Sequence, residues 1–356
     1  MTTPFTFETV DDGTQGGVHG ELSLALDKQG NPGVAYAQPS GAIMLARRDS
    51  GVWTLERLPG GSNVALIGER ICLAIDSNGN PHLAYRDLTG GDLIHAVKSG
   101  SDWTFNHVVT LLTPVGGGGV DGVAFALHPG RLDPSQRDDP FFAYTDQATG
   151  GLGFAHSGIG PSPVAVDIDH GPIRTEFAHA SATFDSSEGF FFAYVGSAKL
   201  GAKNPQVSVR SAFVVDIEQG TISQVQTLEQ SESINVISTG IARTAFEGCI
   251  AYFDLASKTL KSQFLSPDFP EGRSEIIETH INSEPPSVAQ NGVAFRVAYA
   301  DANAVKLASR NQFGDWTVEI VDPVSGILPS LAYDNSGTAH LAYAVGGKLK
   351  YARRSE

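Results

Sequence analysis

Ile71-Cys72-Leu73-Ala74-Ile75-Asp76-Ser77-Asn78-Gly79-Asn80-Pro81-His82-Leu83-Ala84-Tyr85-Arg86 reads as two short strands and the turn between them. Residues 71–76 are apolar, residues 77–80 are turn formers, and residues 81–86 alternate in character. Asn and Gly accept the left-handed backbone that tight hairpins require. A second turn follows at 87–91, with further strand patterns at 93–98 and 103–108. The unit is therefore four short antiparallel strands. Its Ala84-Tyr85 pair recurs as Ala35-Tyr36, Ala143-Tyr144, Ala193-Tyr194, Ala251-Tyr252, Ala298-Tyr299 and Ala342-Tyr343, at intervals of 44 to 59 residues.

Repeats of about 40–50 residues with four strands each are the pattern of β-propeller blades. The sequence predicts an all-β, seven-bladed propeller of four-stranded blades, one domain over residues 1–356. The blades are expected at about 21–58, 70–110, 120–168, 177–230, 236–280, 287–321 and 327–354. Trp53-Thr54-Leu55-Glu56, Trp103-Thr104-Phe105-Asn106 and Trp316-Thr317-Val318-Glu319 are versions of one fourth-strand motif. Phe5-Thr6-Phe7-Glu8 is another version, placed ahead of the first repeat, and the seventh repeat lacks its own. Residues 5–10 are therefore expected to supply the outer strand of the last blade, which removes the open edge of the ring.

The 356 residues carry 24 Lys+Arg against 39 Asp+Glu, a formal charge of -15. Such a surface repels phosphate backbones and anionic lipid, so neither nucleic acid nor membrane is an expected partner. No apolar run approaches the roughly 20 residues of a membrane helix. The first residues have no secretory pattern, and a cytoplasmic location is the simplest expectation. Cys72 and Cys249 lie in apolar runs and are expected as buried free thiols.

The first strand of each blade faces the axis. Ser23, Cys72, Ala124, Ser181, Ser287 and Ser330 align as one small-residue column, and Ala25, Ala74, Ala126, Thr183, Ala289 and Ala332 as the next. Side chains alternate along a strand, so both columns point inward. Two residues before the first column stand Glu21, Arg70, Gly122, His179, Pro285 and Leu328. The fifth repeat does not align, but Arg243 lies nearby. This column is expected at the channel mouth, where Glu21, Arg70 and His179 form the polar set of a candidate site. Glu21 and Arg70 are equally readable as a salt bridge between blades, and His179 as a wall residue. Arg86 ends the second strand of its blade, where the other blades carry uncharged residues; it reads as a solvated arginine or as part of the pocket.

Other groupings read as structure. Asp87, Asp146, Asp254 and Asp301 follow the second strands and suit turns. Asp76–Asn80 and the matching residues 334–338 begin like a calcium loop but lack its closing glutamate. Asp167, Asp169, His170, Glu176 and His179 lack the His-x-His or Cys-x-x-Cys spacing of a metal site, so no metal or other cofactor is expected. His82 and His340 occupy one repeat position. Residues 116–119 are four glycines without the Lys-Ser/Thr of a phosphate loop. Residues 196–206 lengthen one hairpin toward the mouth and suit a lid. Residues 129–139 lengthen a turn on the opposite face and read as a solvated excursion.

The Ala-Tyr and Trp-Thr repeat resembles that of bacterial and fungal propeller lectins along all seven repeats, which implies carbohydrate as a partner. A multivalent lectin keeps its sugar-binding residues blade after blade. Here only Trp53, Trp103 and Trp316 persist, and blades 3 to 5 have drifted. The chain is also similar in size and style to fungal propellers that act as hetero-Diels–Alderases in tropolone–sesquiterpene biosynthesis. That resemblance implies a cofactor-independent cyclase or pericyclase on a hydrophobic polyketide or terpenoid substrate. Arg70 and His179 would then donate hydrogen bonds to a carbonyl or phenolic oxygen, with Glu21 orienting Arg70. Arg86 or Arg243 would assist an anionic group, and Ser23, Ser181, Ser287 and Ser330 would line the substrate pocket. A protein-binding scaffold is the remaining class.

Overall fold

The computed structural model describes residues 3–14, 16–20, 22–59, 71–87, 92–109, 123–146, 151–156, 164–169, 180–184, 188–198, 206–216, 221–222, 226–231, 236–243, 247–254, 256–266, 269–281, 285–292, 294–311 and 313–355. Among them the strands form six four-stranded antiparallel sheets and one five-stranded sheet. The sheets are numbered here as blades in chain order. Their first strands are Leu22–Leu26, Cys72–Ile75, Val123–Leu127, Ser181–Phe184, Val236–Arg243, Ser287–Asn291 and Ile327–Tyr333. Each first strand contacts the next, and the last contacts the first, so the fold is a closed β-propeller. Thr6–Asp11 pairs antiparallel with Lys348–Ser355 and is the outer strand of blade 7.

Blade 4 departs from the expected four strands. Its third strand, Gln206–Asp216, is long enough to pair with the two-residue strand Thr221–Ile222 at one end and with Gln226–Ser231 along the rest. The preceding hairpin is also extended, with pairing from Phe191↔Phe213 out to Ala198↔Gln206. Its tip, residues 199–205, lies outside the described residues.

The repeated motifs explain how blades pack on one another. Every alanine of the seven Ala-Tyr pairs is fully buried. The tyrosines reach across the seams. Tyr36 Oη donates to Asp11 at 2.6 Å, Tyr343 to Asp322 at 2.6 Å, Tyr252 to Glu229 and Tyr299 to Glu278. Each acceptor stands on the outer strand of the preceding blade. Burial, then the hydrogen bond to a carboxylate, holds the Tyr36, Tyr299 and Tyr343 phenols far above their ordinary value.

A second latch runs around the rim. Trp53 Nε1 donates to Glu8 at 2.7 Å, Trp103 Nε1 to Glu56 at 2.9 Å and Trp316 Nε1 to Glu275 at 3.0 Å. The same carboxylates take Arg48, Lys98 and Arg310. At the closing blade the aromatic is Phe5, which has no N–H. Arg354 stacks on it at 4.3 Å and bonds Glu319 through two nitrogens. Side chains that recur in sequence here recur because each seam needs them.

Candidate functional site

The axial cavity has a volume of about 230 Å³ and is lined by residues of all seven first strands and of the segments leading into them. The strand registers explain which residues reach it. Ser23, Cys72, Ala124, Ser181, Ser287 and Ser330 each stand opposite the alanine of an Ala-Tyr pair. In blade 5 that place is taken by Gly240, opposite Ala251. This member was illegible in the sequence because the strand is bulged between Val236 and Thr239. Glycine is required there: a Cβ on Gly240 would lie 2.8 Å from the Pro286 carbonyl oxygen and 3.0 Å from Val288 Cγ2.

The axial hydroxyls hold blades together. Ser23 Oγ accepts from Leu73 N, Ser287 Oγ from Leu331 N and Ser330 Oγ from Leu24 N, each at 3.0 Å. Cys72 Sγ donates to the Val123 carbonyl at 3.1 Å. Ser181 is buried. These four serines all line the cavity as expected, and three of them also satisfy an inward-facing amide of the neighbouring blade, which would otherwise be an unpaired donor. Among the described residues the lining carries no charged side chain; apolar side chains alternate with serine hydroxyls, and the exposed wall is more polar than apolar.

Of the mouth column, Pro285 and Leu328 line the cavity. Glu21, Arg70, Gly122 and His179 lie outside the described residues. So do His170, Glu176 and the glycines at 116–119. Two expectations need correction. Arg243 stands opposite Gly248, three residues past Gly240 and next to the turn on the far face, because the blade 5 register places Gly240 in the axial column. Arg86 is buried, not solvated, and is not among the residues lining the axial cavity. Two of the four turn aspartates bond their own downstream backbone, as expected. Asp301 accepts from Asn303 N at 2.7 Å and Ala304 N at 2.9 Å, and Asp254 from Ala256 N at 3.1 Å. Asp76 and Asp334 close their turns in the same way. Among the described residues no cluster of three or more His, Cys, Asp or Glu is arranged to hold a metal. Cys72 and Cys249 are buried free thiols.

The insertion at 129–139 is exposed at residues 131–135 and 137, as a solvated excursion would be, but it is also anchored on both sides. Glu188 of blade 4 accepts from the amides of Arg131, Leu132 (2.9 Å) and Asp133 (3.3 Å). On the other side, Asp138 accepts from Ser77 N of blade 2 at 2.9 Å. The insertion is a strap joining blades 2, 3 and 4.

The Trp residues serve the seams. Each indole N–H is engaged by a glutamate, and each ring is partly buried at a seam.

No protein-family model matches the chain, and no curated protein matches it. Solved structures do. An ulvan lyase bound to a saccharide superposes with a TM-score of 0.62 at 12% identity, covering 96% of this chain and 94% of that one. A catalytically inactive virginiamycin B lyase from Staphylococcus aureus, with quinupristin, gives 0.59 at 13% identity over 98% and 99%. The SapL1 lectin, in complex with alpha methyl fucoside, gives 0.54 at 12% identity over 86% and 97%. At these identities the likeness establishes a shared β-propeller fold. Among the described residues no helix is long and apolar enough to cross a membrane.

Proposed function

We propose that the chain is an enzyme with one active site at the axial mouth, acting without a cofactor on a small molecule with an apolar body. The observation that carries this is the axial cavity, on which residues of all seven first strands converge, with serine hydroxyls and apolar side chains among its described lining residues. The charged pairs that recur around the ring sit at the seams, where they join blades. A chamber walled on its sides by seven strands favours a substrate folded into a near-attack geometry. A cyclisation of the hetero-Diels–Alder kind needs that and a few hydrogen-bond donors. Arg70 and His179 are assigned as donors to a substrate oxygen, with Glu21 orienting Arg70. Serine hydroxyls line the chamber, and the extended blade 4 hairpin is assigned as its lid.

Carbohydrate is the second substrate class, favoured by the saccharide complexes of the ulvan lyase and SapL1 that share the fold. The engaged indoles weigh against a sugar site repeated at each Trp-bearing seam. A melting-temperature screen with polycyclic polyketide- and terpenoid-like compounds and with simple sugars tests the reading. Ligand at about 100 times its Kd stabilises a protein by about 2.7 kcal/mol. The expected result is stabilisation by the apolar compounds, lost in Arg70→Ala and His179→Ala. Stabilisation by sugars alone, or by apolar compounds undiminished in both variants, would overturn it.

A further inference from the structure

Blade 7 meets blade 1 across a second cavity, of about 460 Å³. It lies on the face of the first-to-second-strand turns, opposite the axial mouth. Its wall includes Gln29 and Asn31 of the blade 1 turn, Arg48 of blade 1, and Asp334, His340 and Arg353 of blade 7.

The neighbouring seam shows what differs here. Arg48 and Arg354 are equivalent, each bonded to a rim glutamate of the preceding blade. The residues before them, Arg47 and Arg353, are therefore equivalent too. Arg47 Nη2 donates to the Gly79 carbonyl of the next blade's turn at 3.1 Å. Arg353 has no side-chain hydrogen bond among the described residues, is exposed, and lines the cavity with the matching turn residues Gln29, Gly30 and Asn31.

Donor capacity remains in the wall besides that of Arg353. Nε and Nη2 of Arg48 hold Glu8, leaving Nη1. Asp334 Oδ1 already accepts from Ser336 N, Thr338 N and Ser336 Oγ, at 2.7 to 2.9 Å, and Oδ2 faces His340 Nε2 at 3.3 Å. His340 Nδ1 is paired with Tyr351 Oη at 2.6 Å. An exposed guanidinium beside a cavity, with no side-chain hydrogen bond among the described residues, favours an anion of two-oxygen geometry in a chain of net charge -15. The volume falls in the range of small-ligand sites.

We propose that the seam between blades 7 and 1 binds a small molecule bearing a carboxylate and hydroxyl groups, with Arg353 as the bidentate partner of the carboxylate. Gln29, Asn31 and Thr338 supply polar groups for the hydroxyls. The site is independent of the axial one.

Calorimetric titration of the full chain with D-glucuronate tests this, with D-glucose as the neutral control. Saturable glucuronate binding is expected, and Arg353→Gln should weaken it about tenfold or more, as loss of a charge-assisted pair does. Arg353 is exposed, so the variant should melt as the parent does without ligand. Arg70→Ala should leave this binding unchanged. Absence of glucuronate binding, equal binding by Arg353→Gln, equal affinity for glucose, or loss in Arg70→Ala would each overturn the proposal.

Discussion

Trp53 Nε1 lies 2.7 Å from Glu8 Oε2, and that contact joins the first blade's outer strand to the chain's N-terminal strand. Glu8 also takes Arg48 Nε at 2.9 Å and Nη2 at 3.0 Å. Burial alone would raise the Glu8 carboxyl, but the bonds from Arg48 and Trp53 together hold it below its ordinary value. Trp53→Phe removes the indole donor and part of the ring that packs edge-on against Tyr351, and Phe5 shows that the position accepts a phenyl ring. That change should cost about 1 kcal/mol, whereas Glu8→Ala leaves Arg48 without its partner and should cost about 2–3 kcal/mol. Urea denaturation of both variants measures the difference. Equal losses would mean that the aromatic ring, not the carboxylate, carries the latch.

Because the indoles are engaged in this way, sugars should leave tryptophan emission unchanged. A titration with methyl fucoside and other simple glycosides reads this directly. A saturable spectral shift that disappears in Trp103→Phe would show a sugar stacking on that ring and would restore the repeated-site lectin reading.

The ring was legible because its repeats encode contacts. Ala-Tyr marks a buried alanine and a tyrosine that crosses the seam, and Trp-Thr-x-Glu marks the rim latch. Both survive as sequence because each seam imposes the same geometry. The axial serines were legible as a small column, but their bonds to neighbouring amides depend on seam geometry that no single blade displays. The fifth repeat could not be aligned, and Arg243 was set near the mouth, because a bulge shifts the count along one strand. Burial of Arg86, and the docking of residues 129–139, depend on neighbours distant in sequence. Glu188 gives no local hint that it caps another blade's loop.

Gly240→Ala should destabilise the protein by about 1–3 kcal/mol, since its Cβ would overlap the Pro286 carbonyl across the seam between blades 5 and 6. Hydrogen exchange should rise first in Ser287–Asn291, the strand that must move. Unchanged stability would mean that this seam yields without cost.

Acid should weaken the fold in a window that His95 defines. Burial, then the neighbouring His82, pushes the His95 imidazole down to about 3. It packs against Phe125 and Phe142 with ring centroids 5.6 and 5.4 Å away. In the unfolded chain it takes a proton near its ordinary value of about 6.5. Between those values the unfolded state holds more protons, so stability falls as pH drops, by up to about 1.4 kcal/mol per pH unit for this group. His95→Leu should flatten that slope. Denaturation midpoints from pH 7 down to pH 4 measure it, and an unaltered slope would place the proton uptake elsewhere.

Glu188 should control the strap at residues 129–139. Its backbone is left-handed, with φ of 63°, and its carboxylate holds three consecutive amides. Burial raises its carboxyl, but those amides outweigh the effect and hold it below its ordinary value. Its contribution is therefore present at neutral pH and lost as the carboxylate is protonated. Glu188→Ala removes the cap and leaves the backbone strain. Glu188→Gly removes the cap but relieves the strain, since glycine adopts positive φ freely. Both should release the strap for trypsin cleavage after Arg131 and Arg137 at neutral pH, while the glycine variant keeps more of its global stability. Cleavage only in the alanine variant would make the strained backbone, and not the carboxylate, the determinant of the strap.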